Sequence, residues 1–403
     1  MSDYIFAGCD LHDKNMQLRI ALNDGEGEAK VFGADREGRE RMVRYLRSRS
    51  GEAGGAKIIF AYEASGSGYG LYDDLNDGGI VCWVLAPTRL DRSVKRRKKK
   101  TNDKDAQRVL EVIRGHVLAG NELPDVWVPD RELRDDRELV RGRLDVSQKG
   151  SGVRAQIKSL LKRNEMRRPE GLGKGWTWEY KGWLGELTRE GSGLGAGGRR
   201  ALLSLLRQLD MLEQEKERLD REVERLSEGE RYRGSVEELR RLKGVGLLTA
   251  MVFLTEMGDL GRFRNRRQVG DYMGLAPSSD ESGEDTDRKG HITHQGPWRV
   301  RWVLCQAYWS RSRTDEKEKK WYEGVVRRNP KHKKIAVVGG MRRLGIKMWH
   351  RARVAQGIES PLPVPPVGES ASVGPRREVE GEKTRARKSV RSRTPAHAMG
   401  QPG

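Results

Sequence analysis

Apolar residues open the chain in short runs. Tyr4-Ile5-Phe6-Ala7-Gly8-Cys9 is nearly continuous and ends on Asp10, whereas Met16, Leu18 and Ile20 alternate with polar Gln17 and Arg19. A turn signal at Asp24-Gly25 separates that alternation from Ala29-Lys30-Val31-Phe32, so residues 4–32 predict a three-stranded antiparallel meander. An Arg-rich stretch over 37–49 predicts a polar helix. Lys57-Ile58-Ile59-Phe60-Ala61-Tyr62 reads as a buried strand, 69–77 as a helix, Ile80-Val81-Cys82-Trp83-Val84-Leu85 as another strand, and 103–119 as a helix. The order is β-β-β-α-β-α-β followed by a helix.

After Pro124 and Pro129 the pattern becomes helical and charged through about residue 163, until a Gly/Trp-rich stretch from Gly171 to Gly198 interrupts it. Leu202, Leu205, Leu209, Leu212, Leu219, Val223 and Leu226 then fall on a and d positions of a heptad frame, with Lys216 at the one polar a position. So narrow an apolar seam needs a partner helix, and a coiled-coil arm of this kind either crosses a long distance or pairs with another subunit. Residues 236–352 predict a second compact, mostly helical region. From about 358 onward Pro, Ser, Gly and Arg dominate, which predicts a disordered basic tail. The expected plan is therefore 1–122, an α/β domain; 123–235, helical and coiled-coil; 236–355, a C-terminal helical domain; and 356–403, the tail.

Composition narrows the partner. With 79 Lys plus Arg against 59 Asp plus Glu the formal charge is +20, which favours a polyanion, nucleic acid first, over a small neutral substrate. The three cysteines are far apart and form no CxxC or Cys/His cluster, so neither a disulfide framework nor a zinc site is indicated. The opening MSDYIFAGCD has no secretory pattern, and no apolar run approaches a membrane span; a cytoplasmic setting is expected.

Several constellations carry candidate chemistry. The element order matches a ribonuclease-H-like α/β domain, in which the first and fourth strands are neighbours. Asp10 and Glu63 end those two strands and Asp105 sits near the start of the following helix, so the three acids can converge on a hard divalent cation, Mg²⁺, suited to phosphoryl transfer. Any one of them alone reads more readily as a cap or surface residue; it is the three at these places that favour the metal. Lys95, Arg96, Arg97, Lys98, Lys99 and Lys100 form six consecutive cations just before Asp105, a density that phosphates would neutralise, although a solvated loop or targeting signal is the blander reading. Leu242-Lys243-Gly244-Val245-Gly246-Leu247 has the pattern of a helix-hairpin-helix, whose Gly244 and Gly246 would expose backbone amides to a phosphate; an ordinary tight turn gives the same pattern. Ser282 lies beside Gly283 in the polar loop GLAPSSDESG, where a hydroxyl is either solvated or nucleophilic. His291 and His294 suit surface or phosphate contact better than metal ligation. The aromatics from Trp176 to Trp183 would stack on unpaired bases or, more simply, pack the arm.

Together these residues resemble the "one-ten" family of insertion-sequence transposases, DEDD-type recombinases that use a structured non-coding bridge RNA. The resemblance runs from residue 4 to about 352. GCDLH carries the first acid as Asp10, YEASGSGYGLYDDL the Glu as Glu63, and KKKTNDKDA the last acid as Asp105; LKGVGLLTA, Glu256-Met257-Gly258-Asp259, Phe263, GLAPSSDESG and GHITHQG are similar to the C-terminal transposase domain. What it implies is a RuvC-like domain holding Mg²⁺ through Asp10, Glu63 and Asp105, and a covalent phosphoserine link formed by Ser282. It further implies a homo-oligomer, dimer or tetramer, in which the metal domain of one subunit meets the serine domain of another, and target choice by RNA base pairing. The chain departs from the pattern at two places. Asn102 stands where the family has its third carboxylate, with Asp103 displaced by one, and acidic Glu284-Asp285-Thr286-Asp287 follows the serine. Two other functions fit the residues: a structure-selective RuvC-like nuclease in which water attacks, and an inactive nucleic-acid-binding relic.

Overall fold

The computed structural model describes residues 3–90, 102–173, 175–279, 289–328 and 330–359. β1 (Tyr4–Leu11) is buried on both faces, as its nearly unbroken apolar run requires. β2 (Asn15–Leu22) and β3 (Glu28–Gly33) complete the expected meander by pairing antiparallel in turn. α1 (Arg36–Glu52) leads to β4 (Lys57–Glu63), and α2 (Gly70–Asp77) leads to β5 (Val81–Leu85). The result is a five-stranded mixed sheet of order β3-β2-β1-β4-β5 in which β1, β4 and β5 run parallel.

Period-two alternation divides the sheet between two cores. Ile5, Ala7, Cys9 and Leu11 of β1 join Met42 and Leu46 of α1 and Leu71 and Leu75 of α2 on one face. On the other face Phe6 joins Ile59 and Ala61 of β4 and Val109, Leu110 and Ile113 of α3 (Asn102–Ala119). α1 begins where the Asp35 carboxylate accepts the Gly38 amide at 2.7 Å. Residue 38 has to be glycine, because a Cβ there would sit 2.1 Å from the Gly33 carbonyl oxygen.

Beyond α3, Val126 donates to the Val84 carbonyl (2.7 Å) and Ala86 to that of Pro124 (2.8 Å), which ties the connecting segment to the edge of β5. There follow α4 (Arg131–Arg163), α5 (Trp178–Glu186) and α6 (Ala196–Glu228). α4 and α6 are each 33 residues, about 50 Å long. They run antiparallel: Arg143 bonds Asp220 at 2.5 Å near the root, and Arg154 bonds Glu213 at 2.8 Å further out. The heptad seam thus finds its partner within the chain. Leu202 and Leu209 pack with Val153, Ile157, Leu160 and Leu161 of α4, and Tyr180 and Leu184 of α5 close the far end.

The remaining elements are α7 (Arg233–Arg240), α8 (Leu247–Met257), α9 (Arg266–Tyr272), the two-stranded β6 (Pro277–Ser279) and β7 (Lys289–Ile292), α10 (Trp298–Thr314), α11 (Glu316–Arg328) and α12 (Lys333–Ala355). α8 is buried continuously from Ala250 to Met257 and forms the centre of a helical core with Val300, Leu304, Tyr308, Met341, Leu344 and Trp349. Val140, Leu144 and Val223 belong to the same core, so the arm is rooted in it. Arg134 of α4 also reaches Asp73 of α2 at 2.7 Å, while Arg137 bonds the Thr255 (2.6 Å) and Glu256 (3.0 Å) carbonyls at the end of α8. The first turns of α4 therefore join the sheet to the helical core. No described helix is long and apolar enough to cross a membrane. The basic tail from residue 360 lies outside the described residues.

Candidate functional site

The sheet brings the first two acids together by parity and register. Asp10 follows Phe6 and Gly8 on the α3 face of β1, and Glu63 follows Ile59 and Ala61 on the same face of β4. Cys9 pairs with Tyr62 in the parallel ladder, so Asp10 and Glu63 are the next residues on strands about 4.8 Å apart. His12 lies 3.1 Å from the Asp10 carboxylate through Nε2.

α3 brings the third. It lies directly on β1, where a Cβ on Gly8 would be 2.3 Å from the Leu110 nitrogen and 2.4 Å from the Ala106 carbonyl oxygen. Only glycine allows a helix backbone so close to a strand. That contact seats the first turn of α3, with Asn102, Asp103 and Asp105, near the end of β1 where Asp10 stands. Asp105 lies 4.0 Å from Arg108. Asp103 turns elsewhere: Arg19 of β2 donates to both of its carboxylate oxygens, through Nε at 2.7 Å and through Nη2. This pairing holds the Asp103 carboxyl below its ordinary range and raises the Arg19 guanidinium above its own. Sequence reasoning missed Arg19, although parity already placed it with Gln17 and Ala21 on the α3 face of β2. Asp103 is thus committed to a structural pair, which leaves Asn102, at the first position of the helix, as the residue sharing a helical face with Asp105. As placed, the side chains do not form a finished ligand cage; among the described residues no group of three or more His, Cys, Asp or Glu lies close enough to hold a metal ion.

Ser282 and the basic run Lys95–Lys100 lie outside the described residues. The stem that carries Ser282 is described: β6 and β7 pair antiparallel, Pro277 opposite Ile292 and Ser279 opposite Lys289. Two glycines close its base. Gly274 (φ +65°) would place a Cβ 2.0 Å from the Gln295 carbonyl oxygen, and Gly296 (φ +82°) one 1.9 Å from that of Tyr272. Arg301 braces the same base by donating from Nη1 to the carbonyls of Met273 (3.1 Å), Gln295 (3.1 Å) and Gly296 (3.2 Å). His294 also adopts a positive φ of 54° there, and His291 is exposed on β7.

The Gly244/Gly246 turn separates into two roles. Gly244, at φ +86°, lies against α10, where a Cβ would meet the Ala307 carbonyl oxygen at 2.4 Å, so helix packing accounts for it. Gly246 is exposed and caps α8 without a side-chain bond.

Comparison with known proteins defines the class first. Residues 236–323, from within α7 to within α11 and including the Ser282 stem, match the family described as transposase IS116/IS110/IS902, a class of transposases. Over 316 residues the chain is 30% identical to the Sinorhizobium fredii protein named as transposase y4qE, covering 77% of this chain and 73% of that one. It is also 25% identical over 314 residues to the transposase for insertion sequence element IS1533 of Leptospira borgpetersenii, covering 77% and 86%. The chain belongs to the IS116/IS110/IS902 family of insertion-sequence transposases.

Proposed function

We propose that this transposase cuts and rejoins the DNA of its mobile element with a magnesium-dependent carboxylate site on a ribonuclease-H-like, RuvC-type sheet and a serine nucleophile at Ser282. The observation that carries the reading is the shared end of one sheet face: Asp10 and Glu63 end adjacent parallel strands beneath the helix that bears Asn102 and Asp105. The donor set fits Mg²⁺, since three carboxylates and one amide carbonyl are hard oxygen ligands. Bound by Asp10, Glu63 and Asp105, the ion would offset charge on the phosphate oxygens during displacement.

The chain's own residues divide the remaining work. Gly8 sets the depth of α3 and with it the approach of Asp105. His12 orients the Asp10 carboxylate through its Nε2 contact. In the cutting step the Ser282 Oγ bonds to phosphorus as the bond from phosphorus to a deoxyribose oxygen breaks; a proton equivalent to the one serine loses ends on that oxygen, which leaves as a hydroxyl. The strand end stays on the serine until a deoxyribose hydroxyl attacks in the reverse sense and rejoins it. Lys95 to Lys100, just before Asp105, would neutralise the DNA backbone near the acids, and Gly246 would offer its amide to a phosphate. The charge of +20 supports a nucleic acid, here a structured RNA, as guide, and the family likeness supports a homo-oligomer as the working form.

Supercoiled DNA carrying the element ends, incubated with the element's RNA and Mg²⁺, tests the proposal. A detergent-resistant protein–DNA adduct that disappears in Ser282→Ala, with all product lost in Asp10→Ala, is expected. Cutting that survives Ser282→Ala would mean that water attacks and the serine mechanism is wrong; product that survives Asp10→Ala would remove the metal site.

A further inference from the structure

The far end of the α4–α6 arm is given no task by this mechanism. It lies about 40 Å along α4 from Arg131, at 1.5 Å per residue. Three of its aromatic rings serve packing: Trp176, Tyr180 and Trp183 contact one another at centroid distances of 5.2 and 5.6 Å over the Leu160–Leu184 core. Trp178 does not join them. As the first residue of α5 it is 79% exposed, the highest value for a large apolar side chain among the described residues. The same tip has a groove of about 550 Å³ lined by Lys158, Lys162, Arg167 and Arg168 against a single acid, Glu165. Arg168 makes groove and α5 segment one surface, since it donates to the Gly175 carbonyl at 2.7 Å and lies over the Tyr180 ring at 3.7 Å.

We propose that this tip holds an unpaired DNA strand, with a base stacked on Trp178 and the adjoining phosphates in the Lys158–Arg168 groove. An indole face accepts a base that has left its own stack, which a duplex does not offer, while a groove with four cations to one acid tracks a backbone. A second copy of the chain, itself at +20, would meet like charge here. The chain's class makes DNA its substrate, and oligo-U serves as the competing probe. The inference rests on that class alone and not on Asp10, Glu63 or Ser282.

Fluorescence anisotropy of the full chain with labelled oligo-dT of about 15 nucleotides tests it. Trp178→Ala should weaken binding about tenfold and leave the salt dependence unchanged. Lys162→Ala with Arg167→Ala should lower the slope of log K against log salt by about 1.4. Neither change should shift a duplex of the same length by more than about twofold. Because other basic surfaces also bind the probe, a 5-iododeoxyuridine version should crosslink within residues 158–183. The proposal is overturned by any of four results: oligo-dT affinity unchanged in Trp178→Ala, equal losses on duplex, crosslinks solely outside 158–183, or a Trp178→Ala chain that changes only its oligomeric state or its affinity for oligo-U.

Discussion

Replacing Gly8 by alanine adds one methyl group where β1 meets α3. The new Cβ would stand 2.3 Å from the Leu110 nitrogen and 2.4 Å from the Ala106 carbonyl oxygen. Both obstacles are backbone, so no rotamer change relieves them, and α3 must lift by about 1 Å to regain ordinary contact. Overpacking of this kind costs about 1–3 kcal/mol, roughly a 5- to 150-fold rise in the unfolded fraction. The same displacement carries Asp105 away from Asp10 and Glu63, and a 1 Å error in a catalytic group costs on the order of a hundredfold in rate. DNA-cutting activity should therefore fall further than stability does. Urea unfolding gives the first quantity and adduct yield under folded conditions the second. Gly51→Ala, in open space on α1, is the control, expected to hold or gain up to about 1 kcal/mol. If Gly8→Ala unfolds at the wild-type urea concentration, α3 is not seated on β1 as described. If it is destabilised yet fully active, Asp105 does not belong to the site.

The two acids of α3 should separate cleanly in a magnesium titration of product formation. Asp105→Asn is expected to abolish product, whereas Asp103→Asn loses only a partly exposed pair with Arg19, worth at most about 1 kcal/mol, and keeps the wild-type magnesium dependence. Gly296→Val puts a branched residue at φ +82° and a Cβ 1.9 Å from the Tyr272 carbonyl oxygen; the adduct should be lost while duplex binding in a gel-shift assay stays within about threefold, and retained adduct formation would show that the stem does not position Ser282. At the arm, burial pushes the Glu213 carboxyl upward but its bonds to Lys181 and Arg154 outweigh this and hold it below its ordinary range. The folded chain thus binds fewer protons than the unfolded chain as acid is added, so the contribution is complete above the ordinary carboxyl range and fades as pH falls through the folded value. Wild type and Glu213→Gln should differ in urea midpoint at pH 7, and the gap should shrink as pH falls from the ordinary carboxyl range through the lowered folded value; a gap that does not change with pH would refute the pairing.

Much of the sheet was legible because alternation is local. Met16, Leu18 and Ile20 against Gln17, Arg19 and Ala21 fix which side of β2 faces α1 and which faces α3, whatever the rest of the chain does. Both helices of the arm were legible, but their pairing was not. The seam of α6 announces a partner, but α4 carries Ser147-Gln148-Lys149-Gly150-Ser151-Gly152 at mid-length, which breaks the apolar stripe that would have identified it. Pairing across 84 residues, as between Arg19 and Asp103, leaves no mark in either local window. Its consequence reaches the site, since the acid nearest in sequence to the family's missing carboxylate is the one already taken.

The positions of Asp10, Glu63 and Asp105 depend on backbone more than on side chains. The Cys9–Tyr62 ladder step aligns two of them, and the Gly8 contact with Ala106 and Leu110 sets the third. Such contacts tolerate almost no variation, whereas carboxylate ligands can change rotamer when a cation binds. The same logic holds at the Ser282 stem, where Gly274, Gly296 and Arg301 fix the base of the segment that bears the hydroxyl. Both halves of the proposed chemistry are thus carried at the ends of rigid backbone joints formed by glycines, which makes single-methyl substitutions at those glycines a sharper probe of the mechanism than removal of surface charge.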